Sequence, residues 1–299
     1  MKPVGIVTNY SEGYASTELK RAFEERNIGV KFLRFIRFSA GINIDYTLKG
    51  ITTHEKEHRD VLNDFSALII RPIGKSSLET GIFRLDILHM LERKGLPIIN
   101  PAKSIEICTD KYYTSALLHE RGYKVPPTIV TESPVQALDA FYKLGGDVVV
   151  KPLFGSRGIG IVRVNDPDQA QIIFNSLKFN HSVIYLQKFI PHKHRDIRVF
   201  VVNDEVIAAM YRVGTSWKTN IATGAIPQKA ELSDEIYNTA IKAAKELGCL
   251  VAGVDFIESQ DQIYITELNS QPGWKGIQQI TKVDIAGEIA KFIIEYVRR

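Results

Sequence analysis

"VVVKPLFGSRGIGIVRV", residues 148–164, places a glycine-rich run, Gly155-Ser156-Arg157-Gly158-Ile159-Gly160, between two β-type segments, with Lys151 closing the first. Context decides what kind of loop this is. A dinucleotide-binding loop needs G-x-G-x-x-G between a strand and a helix, so that the pyrophosphate meets the helix N-terminus. Here the order is G-x-x-G-x-G, and the strand-like "GIVRV" follows. A P-loop needs Gly-Lys-Ser/Thr opening a helix, but Arg157-Gly158 stands in the middle of this loop. What remains is a hairpin flap between strands. Such a flap can lie over a triphosphate and donate backbone N–H groups where glycine lets the chain approach closely. Lys151 can reach a phosphate as a point charge. An ordinary glycine hairpin with a surface lysine reads the same way, and the loop alone does not separate the two.

A second stretch weighs in. "GVDFIESQDQIYITELN", residues 253–269, reads as two strands joined by a tight polar turn at Gln260-Asp261. Residues two apart on a strand share a face, so Glu267 and Asn269 project together. With the turn at Gln260–Gln262, Asp255 lies opposite Glu267 on that face. Three oxygen donors then converge, a set that suits Mg²⁺, which keeps waters and completes its shell with phosphates. By strict alternation Glu267 shares a side with Ile263 and Ile265, where a carboxylate needs a partner. That favours a metal site over a water-satisfied polar face.

Outward from these stretches, the chain alternates. Residues 1 to about 100 hold strand-like "VGIVT", "VKFLRF", "ALIIRPI" and "LPIIN" with helices near 15–26 and 79–94. Leu19 and Phe23 mark the inner face of the first helix. Ile82, Leu85 and Leu88, or Met90-Leu91, mark that of the second. Continuous apolar strands alternating with helices predict a parallel sheet covered by helices. After Asn100-Pro101 the pattern changes to α+β. A helix ends at Gly122, a plausible C-cap, and helices fall near 133–144, 234–247 and 284–297. Between them lie "DVVVKP", "GIVRV", "SVIYLQKFI", "RDIRVFVV" and "VIAAMYRV", interrupted by one or two helices.

Composition bounds the partners. The chain has 299 residues, 44% hydrophobic and 24% charged, with net charge +4. This is a globular composition, too mildly basic to point to nucleic acid. The local cluster His192-Lys193-His194-Arg195 reads either as a solvated loop or as a contact for an anionic substrate. Cys108 and Cys249 lack metal or redox spacing and read as reduced core thiols. There is no signal segment and no apolar run long enough for a membrane span, so the expectation is a cytoplasmic protein. No Ser-His-Asp or Cys-His set stands out.

"DKYYT" at 110–114, "VVVKP" with its flap, "YLQKFI", "RDIRVFVV", "GVDFIE" and "ITELNSQPGWKGI" together resemble the ATP-grasp ligases, most closely the RimK-like α-L-glutamate ligases. "IIRPIGKSSLE" resembles that family's substrate loop, and "FRLDILHMLERKGLPIINP" the helix and strand after it, so the resemblance covers nearly the whole chain. Within the family it is nearest to the tetrahydromethanopterin-type branch. The resemblance implies an ATP-grasp fold: a Rossmann-like parallel-sheet domain at 1–100, a central lobe at 101–184 with the flap, and a C-terminal lobe at 185–299 with the Mg²⁺ site.

The resemblance also implies roles. Lys111 and Lys151 hold phosphates, as do Gly155, Ser156, Gly158 and Gly160 of the flap. Gln187, Lys188, Phe189 and Ile190 form the hinge whose backbone reads adenine. Asp196 contacts nucleotide, Arg198 faces a phosphate, and Arg212 steadies the acyl phosphate or the substrate. Asp255, Glu267 and Asn269 ligate Mg²⁺ or Mn²⁺, with two ions expected. Two departures stand out. Many relatives carry an acidic residue at Lys188, and ribosomal-type enzymes have Arg-x-Asn followed by a histidine where this chain has "SWKTNIATGA". That departure speaks against a ribosomal acceptor, while Lys218 and Asn220 remain phosphate contacts.

The expected activity is amide formation through an acyl phosphate: L-glutamate joined to an acceptor carboxylate of a tetrahydromethanopterin-type cofactor or a ribosomal-protein-like tail. Alternatives are a ligase acting on an amino-group carrier protein, a nucleotide-binding module without catalysis, and a phosphoryl transferase. A homo-oligomer, dimer or tetramer, is also expected. For "QPGWKG" at 271–276, Trp274 reads either as an aromatic wall of the amine pocket or as a packed core residue.

Overall fold

The structure is a computed structural model that describes residues 1–43, 48–54, 56, 58–72, 74, 76–155, 158–260 and 262–298, with the backbone alone for residue 58. Strands β1 (Val4–Val7) and β2 (Val30–Leu33) flank helix α1 (Tyr14–Glu24) in sequence. Short strands β3 (Ser39–Ala40), β4 (Leu48–Ile51) and β5 (His58–Asp60) form a separate antiparallel sheet. β6 (Ala67–Ile70), helix α2 (Leu78–Arg93) and β7 (Ile98–Ile99) complete a parallel sheet of order β2-β1-β6-β7. The predicted parallel sheet is therefore present, and β1 and β6 are buried along their whole length.

Leu19 and Phe23 are buried as expected. On α2 Leu88 and Leu91 are buried as expected and Leu85 packs half-buried against the core, with Ile87 joining them, whereas Ile82 and Met90 are exposed, which corrects those two positions. Length explains it. Sixteen helical residues span ~24 Å, while four-residue strands span only ~13 Å, so the first half of α2 overhangs the sheet.

Helices α3 (Ala102–Thr109) and α4 (Lys111–Glu120) follow, the latter capped by Asp110, whose carboxylate accepts from Tyr113 N–H. Then come β8 (Thr128–Thr131), α5 (Pro134–Lys143), β9 (Val148–Lys151), β10 (Val162–Val164), α6 (Pro167–Phe179) and β11 (Ile184–Lys188). They build an antiparallel sheet of order β10-β9-β11-β8 backed by α5 and α6. Asp166 caps α6 and Pro167 opens it, a pairing that starts helices cleanly.

The last sheet, order β14-β13-β12-β15-β16, is also antiparallel. Its strands are β12 (Arg195–Val202), β13 (Glu205–Val213), β14 (Ile226–Lys229), β15 (Val251–Ser259) and β16 (Gln262–Asn269). Helix α7 (Asp234–Glu246) packs on one face together with α3 and α4. On the other face, short α8 (Lys275–Gln278) and α9 (Ile285–Arg298) join it to α1 and the parallel sheet in one continuous core. Trp274 is buried in that core against Phe200, which settles the packed reading of this residue. Cys108 and Cys249 are free thiols whose sulfurs lie 3.6 Å apart where α3 meets the start of β15, a neighbourhood that their distance in sequence hides.

Candidate active site

The two antiparallel sheets face each other across a cleft with about 910 Å³ of empty space, part of it open to solvent. One wall comes from β9, the flap and β11. The other comes from β12, β13, β15, β16 and the loop at 217–220. Lys111 enters from the first turn of α4.

The metal-strand register follows the sequence reading in one respect and corrects it in another. Asp255 stands opposite Glu267, as expected. The next pair, however, is Phe256 with Ile265, so Thr266 is an extra residue, a β-bulge. The bulge reverses the side-chain alternation. Ile265 stays in the core with Val254, Phe256 and Leu268, while Thr266 and Glu267 both turn to the cleft. Glu267 thus does not share a side with Ile263 and Ile265. It makes no hydrogen bond or ion pair with another described residue, so its carboxylate needs no partner inside the fold.

Asp255 is different. Arg198 grips it with two bonds, Nε to Oδ1 at 2.6 Å and Nη2 to Oδ2 at 2.5 Å. Arg212 adds a third contact, Nη2 to Oδ2 at 3.0 Å. Arg212 in turn makes a two-pronged bond to Asp196, both prongs 2.6 Å, and Thr219 Oγ1 donates to the same carboxylate at 2.6 Å. These residues sit on cross-strand positions, Asp196 opposite Arg212 and Arg198 opposite Asp255, so the sheet register itself builds the ladder. Two cations balance two anions. Burial alone would raise the Asp255 carboxyl, but Arg198 and Arg212 hold it below the usual carboxylate range. Burial disfavours the Arg212 charge, but Asp255 and Asp196 more than compensate.

The two lysines are tethered on the opposite wall. Lys151 Nζ donates to Gln187 Oε1 at 2.7 Å, and Gln187 Nε2 donates to Thr128 and Tyr185. Lys111 Nζ donates to the flap carbonyl of Gly155 at 2.7 Å. Burial lowers the pKa of both, opposed by the charge of Glu267, and brings Lys151 to about 8. The sign follows from linkage. The unfolded lysine holds its proton up to its ordinary 10.5, so between pH 8 and that value the unfolded state binds more protons and this group's burial penalty fades as pH rises. Anion binding runs the other way. Affinity for a non-hydrolysable ATP analogue is expected to fall about tenfold per pH unit above 8, as one proton must be taken up. Titration calorimetry across pH 7–10 checks this, and Lys151→Met should abolish the slope.

In the hinge, the N–H of Lys188 donates to Pro127 O and that of Phe189 to Asp147 O. The N–H of Ile190 has no acceptor among the described residues and lies at the cleft, where a ligand edge can use it. Arg163 locks the hinge, stacking 3.6 Å over Phe189 and pairing with Asp147. Across the cleft the flap meets the loop carrying Lys218 and Asn220. Gly158 has φ +73°, a left-handed backbone that favours glycine, and a Cβ there would come 2.4 Å from Asn220 Oδ1 and push that side chain aside.

Of the predicted residues, the fold brings Lys111, Lys151, Gly155, Gly158, Gln187, Lys188, Phe189, Ile190, Asp196, Arg212, Lys218, Asn220, Asp255 and Glu267 to the cleft. Gly160, Arg198 and Asn269 are not among the residues that line it, although Arg198 bonds the cleft-lining Asp255. Ser156 lies outside the described residues. Trp217, edge-on to Phe189, lines the cleft, whereas Trp274 does not. The 192–195 cluster splits. His192 is buried and lines the cleft, while Lys193 and His194 are exposed and Arg195 pairs with Glu258. Trp217, Thr219 and His192 carried no spacing signal, because a bend in the backbone, not a period, aims them.

Residues 108–293 match the family model described as the RimK-like ATP-grasp domain. A tetrahydromethanopterin:α-L-glutamate ligase of Methanocaldococcus jannaschii is 36% identical over 302 residues, covering 99% of each chain. The chain belongs to the RimK-like ATP-grasp family. A probable α-L-glutamate ligase of Haemophilus influenzae is 33% identical over 236 residues, covering 78% of this chain and 77% of that one. Among solved structures, a RimK domain protein of Sphaerobacter thermophilus superposes with TM-score 0.75 at 19% identity, covering 97% of this chain and 98% of that one. The ATP-grasp ligase PsnB, solved with a precursor variant, Mg and ADP, superposes with TM-score 0.72 at 18% identity, covering 100% and 99%. This RimK-like ATP-grasp chain is an ATP-dependent carboxylate–amine ligase, and the predicted fold class holds.

The residues present fit a divalent cation. Among the described residues no group of three or more His, Cys, Asp and Glu is placed to hold a metal ion; Asp255, Glu267 and the Asn269 amide would form the sparse oxygen set that suits a phosphate-bound Mg²⁺. Among the described residues Glu267 makes no hydrogen bond or ion pair and faces Asp255 in register, while Asp255 is itself held by Arg198 and Arg212. Among the described residues no helix is long and apolar enough to cross a membrane.

Proposed function

We propose that this enzyme joins the amine of L-glutamate to an acceptor carboxylate on a tetrahydromethanopterin-type cofactor. The observation that carries this reading is similarity across the whole length, including the substrate-loop segment, to ligases named for that acceptor. Lys218 in place of the arginine of ribosomal-type enzymes supports it further. In this reading ATP lies in the cleft, with adenine against the hinge N–H of Ile190 and phosphates under the flap, between Lys111 and Lys151. Asp255, Glu267 and Asn269 hold two divalent ions, Mg²⁺ or Mn²⁺, which when bound offset charge on the β- and γ-phosphates.

The chain's own work is positioning and charge compensation. A carboxylate is a poor electrophile, so its oxygen first takes the γ-phosphoryl group to become an acyl phosphate. The glutamate amine then attacks, and phosphate leaves. No protein nucleophile is required. Arg212, held rigid by Asp196 and Thr219, presents a fixed positive charge to the developing oxyanion. The flap excludes water that would hydrolyse the acyl phosphate.

Incubation of the purified protein with ATP, Mg²⁺, L-glutamate and a panel of acceptors tests this reading. The panel holds a reduced pterin cofactor, a γ-glutamyl peptide, a ribosomal-protein tail and a carrier protein. The expected result is ADP release and a glutamyl mass increment with the pterin alone. A phosphorylated product without an amide would sink the ligase chemistry, and modification of another acceptor would sink the substrate assignment.

A further inference from the structure

Arg71 lies where the parallel sheet ends. It is the first residue past β6, and the strand order β2-β1-β6-β7 reverses between β1 and β6. Open α/β sheets bind ligands outside the carboxyl ends of their strands at such a reversal. That edge is polar here: Thr8 and Ser11 follow β1, and Asn100 follows β7, all buried.

Arg71 is only 9% exposed, and no carboxylate pairs with it among the described residues. Its partners are the carbonyl of Pro272, which accepts from Nη2 at 3.0 Å, and the Trp274 ring, 5.0 Å below the guanidinium. Burial alone lowers its pKa to about 10. The contrast with Arg198 and Arg212, both held by carboxylates, is sharp. A buried cation without an anion is costly, and no carboxylate among the described residues offsets it.

The surroundings share the same deficit. The Trp274 indole N–H and the Asn269 amide nitrogen are buried and lack acceptors. Asn269 is the register partner of Gly253. A Cβ on Gly253 would come 3.0 Å from Pro272 and 3.8 Å from Arg198 Nε, so Arg198 and the Arg71–Pro272 contact are neighbours across one glycine. Donors gather here and acceptors are missing. Asn100 holds the walls in place, accepting from Leu250 and Val251 N–H and donating to the Val251 and Ser270 carbonyls. A small crevice opens beside Arg71, lined also by Asn100, Ser270, Pro272 and Trp274.

We propose that Arg71 is a carboxylate-binding residue. It receives one carboxylate of a substrate at the junction of the parallel sheet and the loop after β16, beside Arg198. The planar guanidinium suits a two-oxygen grip, and the arriving anion neutralises a charge that no described carboxylate meets. Naming the ligand a substrate rests on the ligase reading; the carboxylate site itself does not.

Equilibrium titration of wild type, Arg71→Met and Arg71→Lys with L-glutamate and with glutarate, each with and without a non-hydrolysable ATP analogue, tests the site. Wild type is expected to bind at least one of these probes. Arg71→Met should weaken it roughly tenfold to hundredfold, the loss of one charge-assisted contact, and Arg71→Lys should restore part. Nucleotide affinity should stay within about twofold in all three, since Arg71 lies outside the cleft. A packing role predicts the reverse, because Met still stacks on Trp274 whereas Lys does not fill the same shape. Carboxylate binding undiminished in Arg71→Met, or no binding by wild type under any condition, overturns the proposal. Should Arg71→Met not fold, hydrogen exchange on wild type decides. Segments 68–72 and 268–276 are expected to gain protection with the probe, and no change there overturns the site. The ligase reading fails separately, if wild type binds the carboxylate through Arg71 yet forms no amide.

Discussion

Glu267→Gln is expected to reduce turnover on the order of 10²–10³-fold while leaving the fold intact. Asp255→Ala should reduce turnover at least as much and destabilise the protein as well. The two carboxylates face each other in register, and the resemblance gives them one role, but their surroundings differ. Among the described residues Glu267 has no ion pair, and its charge reaches Lys111 and Lys151 without direct contact, so stability should move by less than about 1 kcal/mol. Asp255 is 2% exposed and bonded by two guanidinium groups. Removing it leaves Arg198 without its carboxylate, and breaking such a buried pair costs about 3–5 kcal/mol. Urea denaturation beside the ADP-release assay reads both quantities. Equal stability of the two variants would show that the Arg198–Asp255–Arg212 ladder does not hold the sheet together.

The second large effect belongs to Arg212→Met. Asp196 would keep only the Thr219 hydroxyl, and Asp255 only Arg198. A loss of about 3–5 kcal/mol follows, because an uncompensated charge stays buried. Arg212→Lys should recover little, since an ammonium cannot make the two-pronged contact to Asp196 and also reach Asp255. The pH dependence gives an independent reading. The Asp255 carboxyl is held low in the fold, so its stabilising contribution is complete above the ordinary carboxylate range and is lost as pH falls through the lowered value. In Arg212→Met that acid-side loss should begin at higher pH. Wild type and variant with the same acid limb would assign the lowering to Arg198 alone. Turnover in Arg212→Met should also drop about 10²-fold or more, as for a lost oxyanion contact.

Much of this architecture is local and was therefore legible in the sequence. Continuous apolar strands alternating with helices identified the parallel sheet, because a strand buried on both faces must be apolar along its length. The order of glycines followed by a strand excluded the two common phosphate loops, because each needs a helix next. The pairing of Asp255 with Glu267 was expected from a loop over 260–262, but Ser259 pairs with Gln262, and turn length alone would set Asp255 against Thr266; the bulge is what brings Glu267 opposite Asp255. Tertiary structure decided the rest. The bulge at Thr266 turned Glu267 from the core to the cleft; it rests on one misaligned residue that no pattern of residue types marks. The Arg198–Asp255–Arg212–Asp196 ladder needs three strands in register across 60 residues of chain. Trp217 became the wall of the cleft and Trp274 part of the core, since burial depends on what packs above each face. Arg71 lies in a short motif that gives no hint of its missing anion, because a charge is unpaired only relative to everything folded around it.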